Sequence, residues 1–171
     1  MIHMNMQHAK LLAAMIHYDK GDAKRIQHLV KVHNFAAVIG KLEQIDEDTL
    51  FILETAAILH DIGIHLSEKK YGENLPKYQE KEGPAEAEKL MREVGGYTEE
   101  QIERVKYLVG HHHTYANIEG LDYQILIEAD FLVNLYDSAA KYDTPENIMK
   151  KLFKTETGKQ ILTDIFISER I

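Results

Sequence analysis

The chain has 171 residues, 28 of them acidic and 20 basic, a formal net charge of −8, and no cysteine. That length suits one domain that buries its own core, and the lack of cysteine excludes disulfides, thiolate metal sites and cysteine nucleophiles. The acidic balance argues against nonspecific nucleic-acid or membrane binding, while leaving room for a local basic pocket.

No apolar run is read as a membrane span and the N-terminus lacks a signal-peptide pattern, so a cytoplasmic protein is expected. The periodicity is helical nearly throughout. A first helix is expected from about His3 to Tyr18, broken at Asp19-Lys20-Gly21-Asp22, and a second over Ala23 to Leu42. A third begins near Asp48 as N-cap and ends at Gly63, a residue suited to a helix terminus. His65 to Glu82 is polar, contains Gly72 and Pro76, and reads as a long loop of the kind that forms lids. Pro84 is expected at the first position of a fourth helix running to Val94. Thr98-Glu99-Glu100-Gln101 has the pattern of a capping box and opens a fifth helix reaching about His112. A sixth covers Asp122 to Ala140, Thr144-Pro145-Glu146 caps a short one, and Glu156 to Ile167 closes the chain. With no hairpin signal, the fold class is all-α: a compact single-domain helical bundle over 1–171, with residues 141–171 as C-terminal helices.

The densest chemical signal is His60-Asp61, at the end of the apolar run ETAAILHDIG. Imidazole and carboxylate are both ligands for divalent cations. His60 continues the stripe of Leu53, Ala56 and Ala57, so it should face the core, where a satisfied structural histidine is the competing reading. His28 shares a stripe with Val32, Phe35 and Ile39. His33 is set one residue off that stripe and reads as structural. Asp130 stands in the strongly apolar ILIEADFLVNL, where an unpaired carboxylate is costly and needs a cation. The chain has few arginines to supply one, which favours a metal. His112 continues the inner stripe of Ile102, Val105 and Val109; His111 adjoins it, and His113 should face solvent or the mouth of the site. Glu82 precedes Gly83-Pro84, where it either favours a helix dipole or serves as a ligand. The loop carrying Lys70 and Lys77 either binds phosphate or is simply solvated.

Arg25, His28 and Val32 in R-x-x-H-x-x-x-V, then HDIG (His60 to Gly63), then Glu128 to Leu132 (EADFL) form an ordered set. It resembles the HD-domain superfamily of metal-dependent phosphohydrolases over about Asp22 to Tyr136. The resemblance implies a helical bundle with a metal held by His28, His60, Asp61 and Asp130. Members with two metals add two histidines. The first heads a segment here reading EGPAEAEKL, so Glu82 stands in its place, and the second maps near His111 or His112. Ile64 occupies the place of a lysine in many members, and of an acidic residue in a nucleotidase-like branch, which argues against a nucleoside-monophosphate specialist.

The implied activity is hydrolysis of a phosphate ester, of a nucleotide or dinucleotide, with His60 and Asp61 central and Lys70, Lys77, His113 and Tyr115 as substrate contacts. The implied cofactor is one or two divalent ions, with manganese, iron, cobalt, nickel, zinc and magnesium all compatible. The expected partner is a small phosphorylated molecule, with no nucleic acid and no membrane, and a homodimer is left open. Two alternatives share the pocket: a nucleotide-binding sensor without turnover, and a di-iron oxygenase.

Overall fold

The computed structural model describes residues 4–170, in which helices are joined by turns and loops, the longest at 110–120, and no strand occurs. Of the first expected helix, His3 lies outside the described residues. Helix α1 is Met6–Tyr18, with the Asn5 side chain accepting from the Gln7 N–H. α2 is Ala23–Leu42, capped by Asp22, and α3 is Glu47–Leu59. The α3 cap is Asp46 rather than Asp48, because Asp46 accepts from both the backbone N–H (2.9 Å) and the hydroxyl (2.7 Å) of Thr49.

The segment expected to be a loop is helical. After the turn at residues 60–63, α4 covers Ile64–Tyr71 and is stopped by Gly72 at a left-handed φ of 74°. α5 then runs Pro76–Val94. Pro76 holds the first-turn position expected for Pro84, and Pro84 lies inside the helix. The inner stripe of α5 is Gln79, Gly83, Ala87, Leu90 and Met91. Its first members are polar or lack a side chain, which masked the helical period in the sequence.

α6 is Glu99–Val109, opened by the expected reciprocal Thr98–Gln101 cap, but it stops three residues before His112. α7 is Leu121–Asp137, shorter than expected because the chain tightens into a 3₁₀ turn at Ala139–Lys141. α8 (Pro145–Leu152) and α9 (Glu156–Leu162) follow, and a widened π turn at Thr163–Ile167 ends the last helix early.

α3 and α7 are buried on nearly every side, and both pack against α2. Around them Leu11, Val32, Ile39, Leu53, Met91, Val105, Ile127 and Phe153 form one continuous apolar core. By length and mean hydropathy (1.4) the run Glu47–Tyr71 also meets the criterion for a membrane-crossing helix, which the sequence reading did not register. In the fold 67% of that window is buried inside the protein.

Two close approaches set the geometry. Gly63 has an ordinary φ, so it is not needed for a left-handed helix terminus. A Cβ there would lie 2.8 Å from both Gln79 O and Gly83 N, so Gly63 is required because the HDIG turn lies directly on α5. The second approach is at Glu128, fully buried in α7. Its carboxylate accepts from the N–H groups of Lys154 and Thr155, the Thr155 hydroxyl and the Gln124 amide, which anchors the start of α9. A Cβ on Gly158 would overlap Glu128 Oε2. Gly158→Ala is therefore expected to undock α9, at a cost of about 3 kcal/mol. For a chain of this size that lowers Tm by roughly 6–12 °C in a thermal melt. An unchanged Tm would contradict this packing.

Candidate metal centre

Four elements bring their chemistry to one point. α2 supplies His28, the turn after α3 supplies His60 and Asp61, the turn after α6 supplies His112 and His113, and α7 supplies Asp130. His60 and His112 are placed by the same local device. Each follows the last residues of a helix and sets its Nδ1 2.8 Å from the carbonyl oxygen three residues back, Ala57 for His60 and Val109 for His112. Those carbonyls are left free at a helix end, so the ring nitrogen donates to them. The neutral ring then carries its lone pair on Nε2, aimed into the interior.

The lone pairs converge on carboxylates. His28 Nε2 lies 3.2 Å from His60 Nε2, 3.2 Å from Asp130 Oδ1 and 3.3 Å from Asp61 Oδ2. His60 Nε2 lies 3.4 Å from Asp130 Oδ1 and 3.6 Å from Asp61 Oδ2. On the other side of Asp61, Oδ1 lies 3.4 Å from His112 Nε2. Asp61 thus stands between two donor groups: His28, His60 and Asp130 on one side, His112 and His113 on the other.

His113, expected at the solvent or the mouth, lines the cleft that opens onto the centre. Gln79 donates its amide to the Asn74 carbonyl and so offers Oε1 to His113 Nε2 at 3.0 Å, which leaves His113 Nδ1 as the free lone pair. Burial and the neighbouring His112 lower the His113 pKa to about 4.

The residues fit a cation. His112 Nε2 and Asp130 Oδ1 are buried without a hydrogen-bond partner, and in His60 and His112 an acceptor nitrogen faces an acceptor oxygen. Acceptors facing acceptors at this depth are costly unless a positive charge lies between them. Donors bound ~2.1 Å from one ion lie roughly 3.0–3.4 Å from one another, which matches the spacing here. The charge balance points the same way. Burial opposes ionisation of Asp61 and Asp130, yet the surrounding imidazoles hold both carboxyls well below the usual range. Burial also opposes a charged His28, yet Asp130 and Asp61 raise its pKa to about 10. The centre draws positive charge from whatever carries it.

Other candidates lie elsewhere. Glu82 is in the middle of α5, not at its start, and turns toward α4 because Gln79 and Gly83 occupy the inner stripe. It accepts from Lys70 Nζ and Tyr71 OH, both at 2.6 Å. That contact also takes Lys70 away from the site. His111 stacks on Tyr107 at 4.1 Å and bonds its carbonyl oxygen, so of the pair only His112 faces inward. Lys77 rests over the Tyr78 ring and Tyr115 against Phe131. Neither lines the cleft that opens onto the centre.

That cleft has a volume of about 210 Å³. Its cationic residues are Lys24, Arg25 and Lys141, set against Asp137 and the acids of the centre, and His113, Asn134 and Tyr142 also line it. Arg25 Nη1 reaches Asp61 Oδ2 at 2.5 Å. The first residues of α2 and the 3₁₀ turn, not the segment carrying Lys70 and Lys77, thus provide the basic lining. Arg25 was visible in its motif, whereas Lys24 and Lys141 carried no periodic signal. Asp137, held by Lys31 at 2.7 Å and 3.7 Å from His28 Nδ1, was also missed, although it lies two helical turns beyond Asp130 on α7.

Chelator-treated protein is expected to gain stability on addition of Mn²⁺. At a free-ion level near 100 Kd the gain is about 2.7 kcal/mol, a rise of roughly 5–11 °C in Tm. Asp130→Asn should abolish most of that rise; a metal-independent Tm in the wild type would contradict the assignment.

The HD domain family model matches residues 25–165, nearly the whole chain and every element that supplies the centre. No curated protein and no solved structure matches the chain significantly. The match spans His28, the His60-Asp61 pair, His112 and Asp130 in the order in which the fold brings them together, and the chain belongs to the HD-domain family, whose members are generally metal-dependent hydrolases.

Proposed function

We propose that this protein is a metal-dependent phosphohydrolase that cleaves a phosphate ester at the His60-Asp61 centre. The observation that carries the reading is Asp61, whose two oxygens face two separate donor groups across a buried centre that opens onto a basic cleft. His28, His60, Asp61 and Asp130 would hold one divalent cation, and Asp61, His112 and His113 a second. When bound, such ions supply Lewis acidity, polarising a phosphoryl oxygen and making water acidic enough to attack near neutral pH.

The chain's own residues do the rest. Lys24, Arg25 and Lys141 attract the anionic substrate into a chain whose overall charge would repel it. The planar Arg25 fork can exchange part of its contact with Asp61 for a phosphoryl oxygen, orienting the group over the centre. Ala57 and Val109, through their carbonyls, keep His60 and His112 in the ligating tautomer. Gln79 does the same for His113.

The cleft is smaller than the roughly 300–1,000 Å³ of pockets that enclose a drug-sized ligand. It takes a phosphoryl group and the near part of its leaving group. A nucleotide or dinucleotide, the proposed substrate class, would keep most of its bulk outside, next to Tyr142 and Lys141.

The test is hydrolysis of a panel of phosphate monoesters and diesters by protein loaded with Mn²⁺. Turnover is expected for at least one, with loss of about 10²-fold or more in kcat for Asp61→Asn. Arg25→Ala is expected to lower kcat/KM by roughly 10–100-fold, the loss of one charge-assisted contact. Saturable binding with no product from any ester would instead establish a binding module.

A further inference from the structure

Away from the cleft, three ionisable side chains from three helices meet in a second cluster: His8 of α1, His33 of α2 and Glu54 of α3. His8 and His33 are buried, and the Glu54 side chain is 17% exposed. One ligand-capable atom from each lies within 4.8 Å of the others. His33 Nε2 is 3.1 Å, and His8 Nδ1 3.8 Å, from the same carboxylate oxygen, Glu54 Oε1. These distances bracket the ~3.3 Å that separates ligands around a tetrahedral ion at ~2.0–2.1 Å.

The hydrogen bonds decide which nitrogen is free. His8 Nε2 lies 3.2 Å from the Phe51 carbonyl oxygen and 3.1 Å from the Thr55 hydroxyl. Thr55 already donates its proton to the Phe51 carbonyl at 2.8 Å, so both neighbours of Nε2 can only accept. Nε2 therefore carries the hydrogen, and the lone pair falls on Nδ1. That nitrogen is buried, has no hydrogen-bond partner, and faces the carboxylate. A proton on His33 Nε2 satisfies Glu54 but leaves His8 Nδ1 with nothing. A ring fixed by a backbone carbonyl on one nitrogen, with its other lone pair turned to a carboxylate, is the arrangement that supports metal-ligating histidines.

We propose that His8, His33 and Glu54 form a second divalent-cation site, separate from the hydrolytic centre, that fastens α1 onto α2 and α3. Two imidazoles and one carboxylate suit a borderline ion such as Zn²⁺, with the partly exposed side of Glu54 giving solvent access to a fourth position. The role is structural. His33 lies five residues after His28 on α2, and Glu54 six before His60, on the helix that leads into its turn, so an ion here braces the elements that position the hydrolytic ligands. The proposal does not depend on the hydrolytic reading.

The test uses the metal-depleted full chain and Zn²⁺ alone. Zinc retained after desalting should be one equivalent greater in the wild type than in His8→Gln or Glu54→Gln. Asp130→Asn should keep a Zn²⁺-dependent rise in Tm that Asp130→Asn/His8→Gln lacks. Equal zinc content in the wild type and both variants would overturn the site. For a variant that does not fold, the wild type gives the answer through ¹⁵N spectra of its imidazoles. Zn²⁺ should move one free Nδ1 resonance to a metal-bound position beyond those of the hydrolytic centre. A His8 Nδ1 that stays free, or is protonated, at saturating Zn²⁺ overturns the proposal.

Discussion

Two ionised carboxylates, Asp61 and Asp130, buried beside imidazoles whose lone pairs point at them, are the constraint on which this structure depends. Arg25 and His28 offset part of that negative charge, but the facing acceptors of His60, His112 and Asp130 are left to repel one another. A cation turns the same arrangement from a cost into a strong attraction. The site is thus a part of the fold that is completed by what it binds, which links metal affinity to stability as well as to catalysis.

The architecture keeps the donors aligned. α3 and α7 are surrounded by other helices, so His60, Asp61 and Asp130 are held by elements with little freedom to move. The two helix-end turns pin His60 and His112 through backbone carbonyls, and backbone contacts do not change rotamer. Contact between Gly63 and α5 brings Gln79 next to His113. The anchoring of α9 on Glu128 ties the C-terminal helices to the helix that carries Asp130. A basic cleft then overlies an acidic centre, so an anion is drawn toward a point where only a cation-loaded site would accept it.

Much of this was legible in the sequence, for identifiable reasons. Long apolar periods gave α2, α3 and α7, and a carboxylate in the middle of ILIEADFLVNL could be read as demanding a partner. The Thr98 and Thr144 caps are local chemistry and were read correctly. What stayed hidden depends on tertiary context. α4 and the first turns of α5 bury Ser67, Gln79 and Gly83, residues that mimic a loop when hydropathy is counted. The requirement for Gly63 comes from another helix, so no local rule shows it. Glu82 falls beside α4 rather than at a helix start because α5 begins at Pro76 and not at Pro84, and a shift of that size rotates a side chain to another face. Lys24 and Lys141 belong to the cleft only because two chain-distant segments meet there.

The most direct test of the central claim is anomalous diffraction from crystals of the protein saturated with Mn²⁺. The account predicts an ion within bonding distance of His28, His60, Asp61 and Asp130, with Asp61 also directed toward His112. A saturated crystal with no anomalous peak at that point, its imidazoles and carboxyls sharing protons alone, would contradict it.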